Sequence, residues 1–290
     1  MNQSIAILGT GALGTLMAWH WRHGNTFVCR RDNRPPMALR PDAAGSTLVT
    51  PLPLPQWSGE PLDWLVVCTK AADSVAALQE YSRWLPGVKR ILLLQNGMGQ
   101  QDEVAQWLHD NGLTPVLWAG TSTEGAYRDR DGSVVYAGRG QSFAGCWQAT
   151  DDHTQLPPGV IADPQIRARL QAKLAVNAVI NPLTARFLCR NGELLSNPGY
   201  HEQFLALARE VAALFDALGW HTGFDIVQQV QTVAAATAAN QSSTLQDVLH
   251  KRQTELPYIM GYLLNAADNA GLSAPLTRDL YRDLNPQVNG

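Results

Sequence analysis

Residues 4–14 read SIAILGTGALG, a β-rich apolar run that breaks directly into a glycine-patterned turn. Residues 12–23 then take helical spacing up to Gly24, and TFVCR (26–30) is a second strand. DWLVVCT (63–69), RILLLQ (90–95) and PVLWAGT (115–121) repeat the strand pattern, with helical patterns near 72–84 and 100–110 between them. Strands alternating with helices predict a parallel sheet covered on both faces. The Pro-rich stretch 35–61 reads as irregular connection with an edge strand at STLVT (46–50), and SVVYAGRGQSFAGCW (133–147) as a short antiparallel hairpin added to the sheet. After the turn-rich residues 150–160 the pattern is helical from Pro164 almost to the end. The expected division is therefore 1–163, an α/β dinucleotide-binding domain, and 164–290, an all-α domain.

The glycine pattern GTGALG (9–14) is weak alone and strong in this setting, after a strand and opening a helix. Gly9 permits the tight turn, Gly11 lets a pyrophosphate approach the backbone, and Gly14 allows close packing of helix on strand. Thr10, Ala12 and Leu13 complete the loop, whose N–H groups and helix dipole favour phosphate. A chain that reads NAD places an acidic residue at the end of the second strand; here the sequence is CRRDNR, with Asp32 one or two residues late. Arg30 and Arg31 suit a 2′-phosphate, so the expected cofactor is NADP, bound as NADPH. Lys70 and Asn96 fall at the carboxyl ends of strands, where ligands of open α/β sheets bind; a snorkelling lysine and an Asn-Gly turn are the plainer readings.

KLAVNAVINPLTA (173–185) poses a separate question. Lys173, Asn177 and Asn181 recur every fourth residue and share one face of an otherwise apolar helix. A solvated face would be broader and more charged, so the stripe reads as the wall of a polar cavity. Pro182 predicts a local bend beside Asn181.

Bulk properties limit the alternatives. With 16% charged and 45% apolar residues and a net charge of −3, the chain is globular, and without a dense Lys/Arg run it fits neither nucleic acid nor an anionic membrane as partner. No apolar run approaches the roughly 18 residues of a membrane span. Four cysteines without a C-x-x-C, and an N-terminus that enters a strand without a basic-then-apolar leader, lead to the expectation of a cytoplasmic protein. The seven histidines show no metal-ligand spacing, so no metal is expected.

GTGALG, NGMG (96–99), KLAVNAVINPLTA, NGEL (191–194), SSTLQD (242–247) and TELPYIMGYLL (254–264) together resemble the ketopantoate reductases, in an order that spans nearly the whole chain. The resemblance implies a Rossmann-type doubly wound sheet followed by an all-α C-terminal domain. It also implies NADPH-dependent reduction of 2-dehydropantoate to (R)-pantoate, in a cleft between the domains. By the same resemblance Lys173 is the general acid and Glu255 the acidic residue that holds substrate. Asn177, Asn181, Asn191 and Ser243 fall where relatives contact substrate, and Asn96 and Asn240 at motif positions lining the same site. Lys70 and Arg30 or Arg31 lie toward the phosphates of the cofactor.

Two departures bear on substrate choice. The family's common T-E-I-D-Y-I-N-G reads TELPYIMG here, so Pro257 and Met260 replace Asp and Asn, and Thr254 is expected to cap a helix starting at Glu255. The alternatives are a reductase of another small branched 2-oxo acid and a non-catalytic NADP-binding sensor. A monomer or homodimer is compatible with the sequence.

Overall fold

The computed structural model describes residues 3–30, 37–41, 48–129, 131–148 and 154–285. The chain forms two compact units, Met1–Gln95 with Gln100–Ile166, and Asn96–Gly99 with Arg167–Gly290. The short NGMG segment thus groups with the helical unit, although it leaves and re-enters the chain of the first.

The first unit opens with β1 (Ser4–Leu8), α1 (Ala12–Trp21) and β2 (Asn25–Cys29), followed by the short strands β3 (Ala38–Arg40) and β4 (Thr50–Pro51). The alternation resumes with β5 (Leu62–Val67), α2 (Ser74–Glu80), β6 (Val88–Leu93), α3 (Gln100–Asp110) and β7 (Val116–Ser122). Four strands complete it: β8 (Gly125–Arg128), β9 (Val134–Gly138), β10 (Ser142–Cys146) and β11 (Val160–Ala162). The main sheet has the order β11-β10-β7-β6-β5-β1-β2, and β7, β6, β5, β1 and β2 are mutually parallel. This is a Rossmann-type sheet, and burial on both faces explains its continuous apolar runs.

Successive residues of each strand serve opposite cores. Ile5, Ile7, Trp64, Val66 and Leu92 pack with Leu16, Met17 and Trp21 of α1. Ala6, Leu8, Leu65, Val67, Ile91 and Leu93 pack with Leu78 of α2 and with Val104 and Leu108 of α3. Each large side chain so buried contributes about 1.5–3 kcal/mol. The chain leaves β1 toward β2 and leaves β5 in the opposite direction toward β6, so the carboxyl ends of β1 and β5 bound the crevice where such sheets take ligands.

The run 133–147 is not the expected hairpin; it is one arm of a longer one. β9 pairs with β8 and β10 with β7, both antiparallel, and between them the Thr123 N–H donates to the Gln141 carbonyl at 2.9 Å. The ladder therefore passes from the main sheet into a second sheet of order β4-β3-β9-β8. Gly140 looks like a turn residue by composition, yet its role is close approach: a Cβ there would stand 2.4 Å from the Thr123 carbonyl carbon. The chain reverses between Asp129 and Ser133, where the Asp129 N–H donates to the Ser133 carbonyl at 2.8 Å. Of the edge strand expected at 46–50, residues 46 and 47 lie outside the described residues, and β4 begins at Thr50.

The helical unit comprises α4 (Ile166–Phe187), α5 (Glu193–Ser196), α6 (Pro198–Ala217), α7 (Ile226–Ala236), α8 (Ser243–Leu249), a π-helical turn (Pro257–Gly261), α9 (Tyr262–Asn269) and α10 (Pro275–Leu284). Asn197, Asp225 and Ser242 cap α6, α7 and α8 with side-chain oxygens that accept first-turn N–H groups. α4 runs uninterrupted through Pro182; two residues on, the Thr184 hydroxyl donates to the carbonyls of Ile180 and Asn181 at 2.9 and 3.0 Å. Among the described residues no helix is long and apolar enough to cross a membrane.

Candidate functional site

In the first unit the glycine loop and the segment after β5 nearly touch. Gly9 has φ +97°, and a Cβ on it would lie 2.6 Å from the Thr69 backbone nitrogen. At Gly14 a Cβ would stand 1.9 Å from the Gly9 carbonyl oxygen, so this glycine is required by helix–strand packing. Gly11 differs: among the described residues the only neighbour its Cβ would meet is the Cys68 carbonyl oxygen, 4.0 Å away. No atom of the described residues demands a glycine there, and among them α1 has no side-chain cap. Open space beside uncapped first-turn N–H groups fits the pyrophosphate of a dinucleotide. Thr10 is buried beneath this loop, and Ala12 and Leu13 open α1 half-buried.

Arg30 follows β2, half-buried. Gln56 holds its backbone from both sides, Oε1 accepting from the Arg30 N–H at 3.2 Å and Nε2 donating to its carbonyl at 3.3 Å. Arg31 and Asp32 lie outside the described residues. Lys70 is half-buried just before the 3₁₀ turn Ala71–Asp73, close in sequence to the Thr69 that faces Gly9. Sequence reasoning missed Gln56 and Gln95. Gln95 Nε2 donates to the Ser74 hydroxyl at 2.9 Å and to the Thr69 hydroxyl at 3.4 Å, tying together the ends of β5 and β6. Nothing in the local sequence distinguishes either glutamine from a surface residue; only the buried position of Gln95 at the end of an apolar strand hints at a role.

In the helical unit Lys173, Asn177 and Asn181 lie on one face of α4. Neither Asn177 nor Asn181 has a side-chain hydrogen bond to another described residue, although Asn181 is buried. Their amides are therefore available to a ligand. Lys173 is half-buried on this face. Desolvation pushes its pKa down to about 8, against the opposing pull of the Glu255 carboxylate, which favours the ammonium.

Glu255 precedes the π-helical turn and does not start a helix capped by Thr254, as the sequence suggested. Its carbonyl accepts from the N–H groups of Tyr258 and Ile259 at 3.0 and 3.1 Å, and the turn has no side-chain cap. Pro257, lacking an N–H, fits the first turn and shifts the start beyond Glu255. The Glu255 carboxylate accepts from Asn96 Nδ2 at 3.2 Å. Asn96 is brought there by the NGMG loop, in which the Met98 N–H donates to the Tyr258 carbonyl at 2.8 Å. Gly97, with φ +84°, allows this approach, since a Cβ there would lie 2.5 Å from the Tyr258 oxygen.

The other expected substrate residues are placed differently. Asn191 is buried, with its Nδ2 donating to the Thr237 hydroxyl at 2.8 Å, and its N–H donates to the Asn240 carbonyl at 3.0 Å. Asn240 and Ser243 are exposed. The buried serine is Ser242, which caps α8 and lies 2.7 Å from the Thr184 hydroxyl. The phase of the apolar residues Leu245 and Val248 could have identified Ser242 as the cap. Two surface cavities of this unit, of about 560 and 390 Å³, include none of these residues. Chemistry identifies this site, and the surface hollows do not.

Comparison with known proteins places this geometry in context. The family model described as "Ketopantoate reductase PanE/ApbA" matches residues 5–149, and its C-terminal companion, "Ketopantoate reductase PanE/ApbA C terminal", matches 165–287. A Vibrio cholerae protein named 2-dehydropantoate 2-reductase is 32% identical over 297 residues, covering 97% of this chain and 96% of its own. The crystal structure of a probable 2-dehydropantoate 2-reductase from Bacillus subtilis covers 97% of this chain and 98% of its own at 27% identity, with a TM-score of 0.75. A D-mandelate dehydrogenase solved with NADH and anilino(oxo)acetate has a TM-score of 0.80 over 97% of this chain and 96% of its own. At 17% identity it shares the fold alone.

Proposed function

We propose, for a chain that belongs to the ketopantoate reductase family, that it reduces the C2 ketone of 2-dehydropantoate to (R)-pantoate with NADPH. The observation that carries this reading is half-buried Lys173, which feels the charge of Glu255 and shares its helix face with the two amides of Asn177 and Asn181. NADPH held through its pyrophosphate at the glycine loop would supply the hydride that reduces the ketone carbon. Negative charge then develops on the ketone oxygen, and Lys173 stabilises it and donates its proton there. Asn177 and Asn181 offer amide donors and acceptors to the substrate's carboxylate and hydroxyl, and Glu255, oriented by Asn96, accepts from a hydroxyl. Arg30 or Arg31 pairs with the 2′-phosphate, and Lys70 with the phosphates nearer the loop.

Purified protein supplied with NADPH should turn over ketopantoate faster than 2-oxoisovalerate or 2-oxopantolactone. Met260, fully buried where relatives carry Asn, favours a second reading in which another branched 2-oxo acid is preferred, and a reversed order in the same assay would establish it. NADPH binding without turnover of any of the three would leave only a sensor.

The lysine fixes the pH profile. With a pKa of about 8, Lys173 is a competent acid below that pH, and kcat/KM for reduction falls about tenfold per pH unit above it. Glu255→Gln removes the charge that favours the ammonium, so the falling limb should move to lower pH. Steady-state rates between about pH 6 and pH 10 read this directly; a limb that stays in place contradicts the Lys173–Glu255 coupling.

Cofactor choice is tested by replacing Arg30 and Arg31 together with alanine. Loss of a charge-assisted pair to the 2′-phosphate should raise KM for NADPH by about 10-fold or more. KM for NADH should stay within about twofold. Equal effects on the two cofactors would remove the arginines from the 2′-phosphate.

A further inference from the structure

Arg128, the last residue of β8, reaches the glycine loop from the second sheet. Its Nη2 donates to the Thr10 carbonyl at 2.7 Å, while Nη1 donates to the Gly132 carbonyl. The Thr15 hydroxyl also donates to the Thr10 carbonyl, at 3.3 Å. A carbonyl and the N–H of the same trans peptide point in opposite directions, and the described residues contain no cis peptide. The Thr10 carbonyl therefore faces Arg128, and the Gly11 N–H faces away from it.

This peptide joins Thr10 to Gly11, and the glycine on its far side leaves it freer to rotate than a peptide between two residues that carry a Cβ. A guanidinium is charged at every pH of interest, and bonding the carbonyl end of a peptide polarises the unit and strengthens its N–H as a donor. The anchor is itself fixed. Arg40 donates to Asp129 at 3.0 Å and to Asp131 at 3.2 Å, and the Ser133 N–H and hydroxyl donate to Asp131 at 2.9 and 2.6 Å.

We infer that Arg128 is a positioning residue for the cofactor, holding the Thr10–Gly11 peptide so that the Gly11 N–H is presented to the pyrophosphate. The inference rests on the reading that this loop holds NADPH. It gives the second sheet a function, as the base from which the phosphate loop is held.

The test compares two ligands by calorimetric titration: NADPH, and adenosine 2′-phosphate, which keeps the 2′-phosphate but has no pyrophosphate. R128M should weaken NADPH about 10-fold while adenosine 2′-phosphate binds within about twofold of wild type. R128K keeps the charge but cannot span both carbonyls, so it should recover part of the loss; should R128M not fold, R128K carries the test with a loss of about threefold. Undiminished NADPH affinity in the variant, or a parallel loss for both ligands, overturns the inference. Wild-type protein that fails to bind NADPH overturns the cofactor reading and this inference with it. Wild type that binds while the variant binds equally well overturns the inference alone.

Discussion

Lys173→Met lowers kcat for ketone reduction by about 10²- to 10⁴-fold, while NADPH binds within about twofold of wild type. The loss falls on kcat because the ammonium acts most strongly on the charge that appears at the oxygen as hydride arrives, and less on the neutral ketone. Arginine is no substitute, since it keeps its proton. A loss of activity through misfolding is separated by stability. The folded pKa of Lys173, about 8, lies below the ordinary lysine value of 10.5, so between those values the unfolded chain holds more protons. Lys173 therefore contributes a rise in stability with pH through that window. It is read as the difference between wild type and Lys173→Met, because the thiols of Cys29, Cys68 and Cys189, whose pKa values burial raises, act in the opposite direction in both proteins. Lys173→Met should lack this rise and at pH 7 be at least as stable as wild type, having lost a desolvated charge. Urea unfolding at about pH 7 and pH 10 measures both. A variant that is inactive and also less stable at pH 7 would point to structural damage and away from lost chemistry.

The second large effect separates two glycines only three positions apart. Gly14→Ala places a Cβ 1.9 Å from the Gly9 carbonyl oxygen, with backbone on both sides of the clash. Neither partner can rotate away, so the helix must lift off the strand, at a cost of about 3 kcal/mol or more. Gly11→Ala meets nothing closer than 4.0 Å and should leave stability within about 0.5 kcal/mol. Its methyl group occupies the space assigned to the pyrophosphate, so NADPH affinity should fall by at least about 10-fold. Chemical denaturation and NADPH titration of both variants give four numbers. Equal behaviour of the two glycines in both measurements would mean that the loop is not shaped around a phosphate.

The parallel sheet was legible because its strands are buried on both faces, so runs such as Leu65–Val66–Val67 and Ile91–Leu92–Leu93 carry no polar interruption. The loop was legible for a similar reason: backbone approach leaves only glycine at Gly9 and Gly14. The hairpin at 133–147 was misread because Gly138 and Gly140 mark a turn by composition while serving a crossing between sheets, which no local pattern encodes. The capping role of Ser242 had no counterpart in the sequence reading, because adjacent serines differ only in helical phase. The start of the turn after Glu255 was missed because proline at Pro257 fixes where a helix can begin and leaves open which preceding carbonyl accepts from its first turn. The contact of Gln56 with Arg30 joins distant segments and had no sequence signal, whereas Asn96 and Glu255 were brought to one site only by the resemblance.

The chain crosses between its two units at three places: before Asn96, after Gly99 and between Ile166 and Arg167. A single cut at the last junction would therefore not release two intact modules. A fragment beginning at Arg167 lacks Asn96 and the Met98 N–H that bonds to Tyr258. Expressed alone it would expose the face that NGMG covers. A transplantable helical module would need those four residues supplied on a linker, and attempts to exchange halves with a relative must carry the short loop along with the helices.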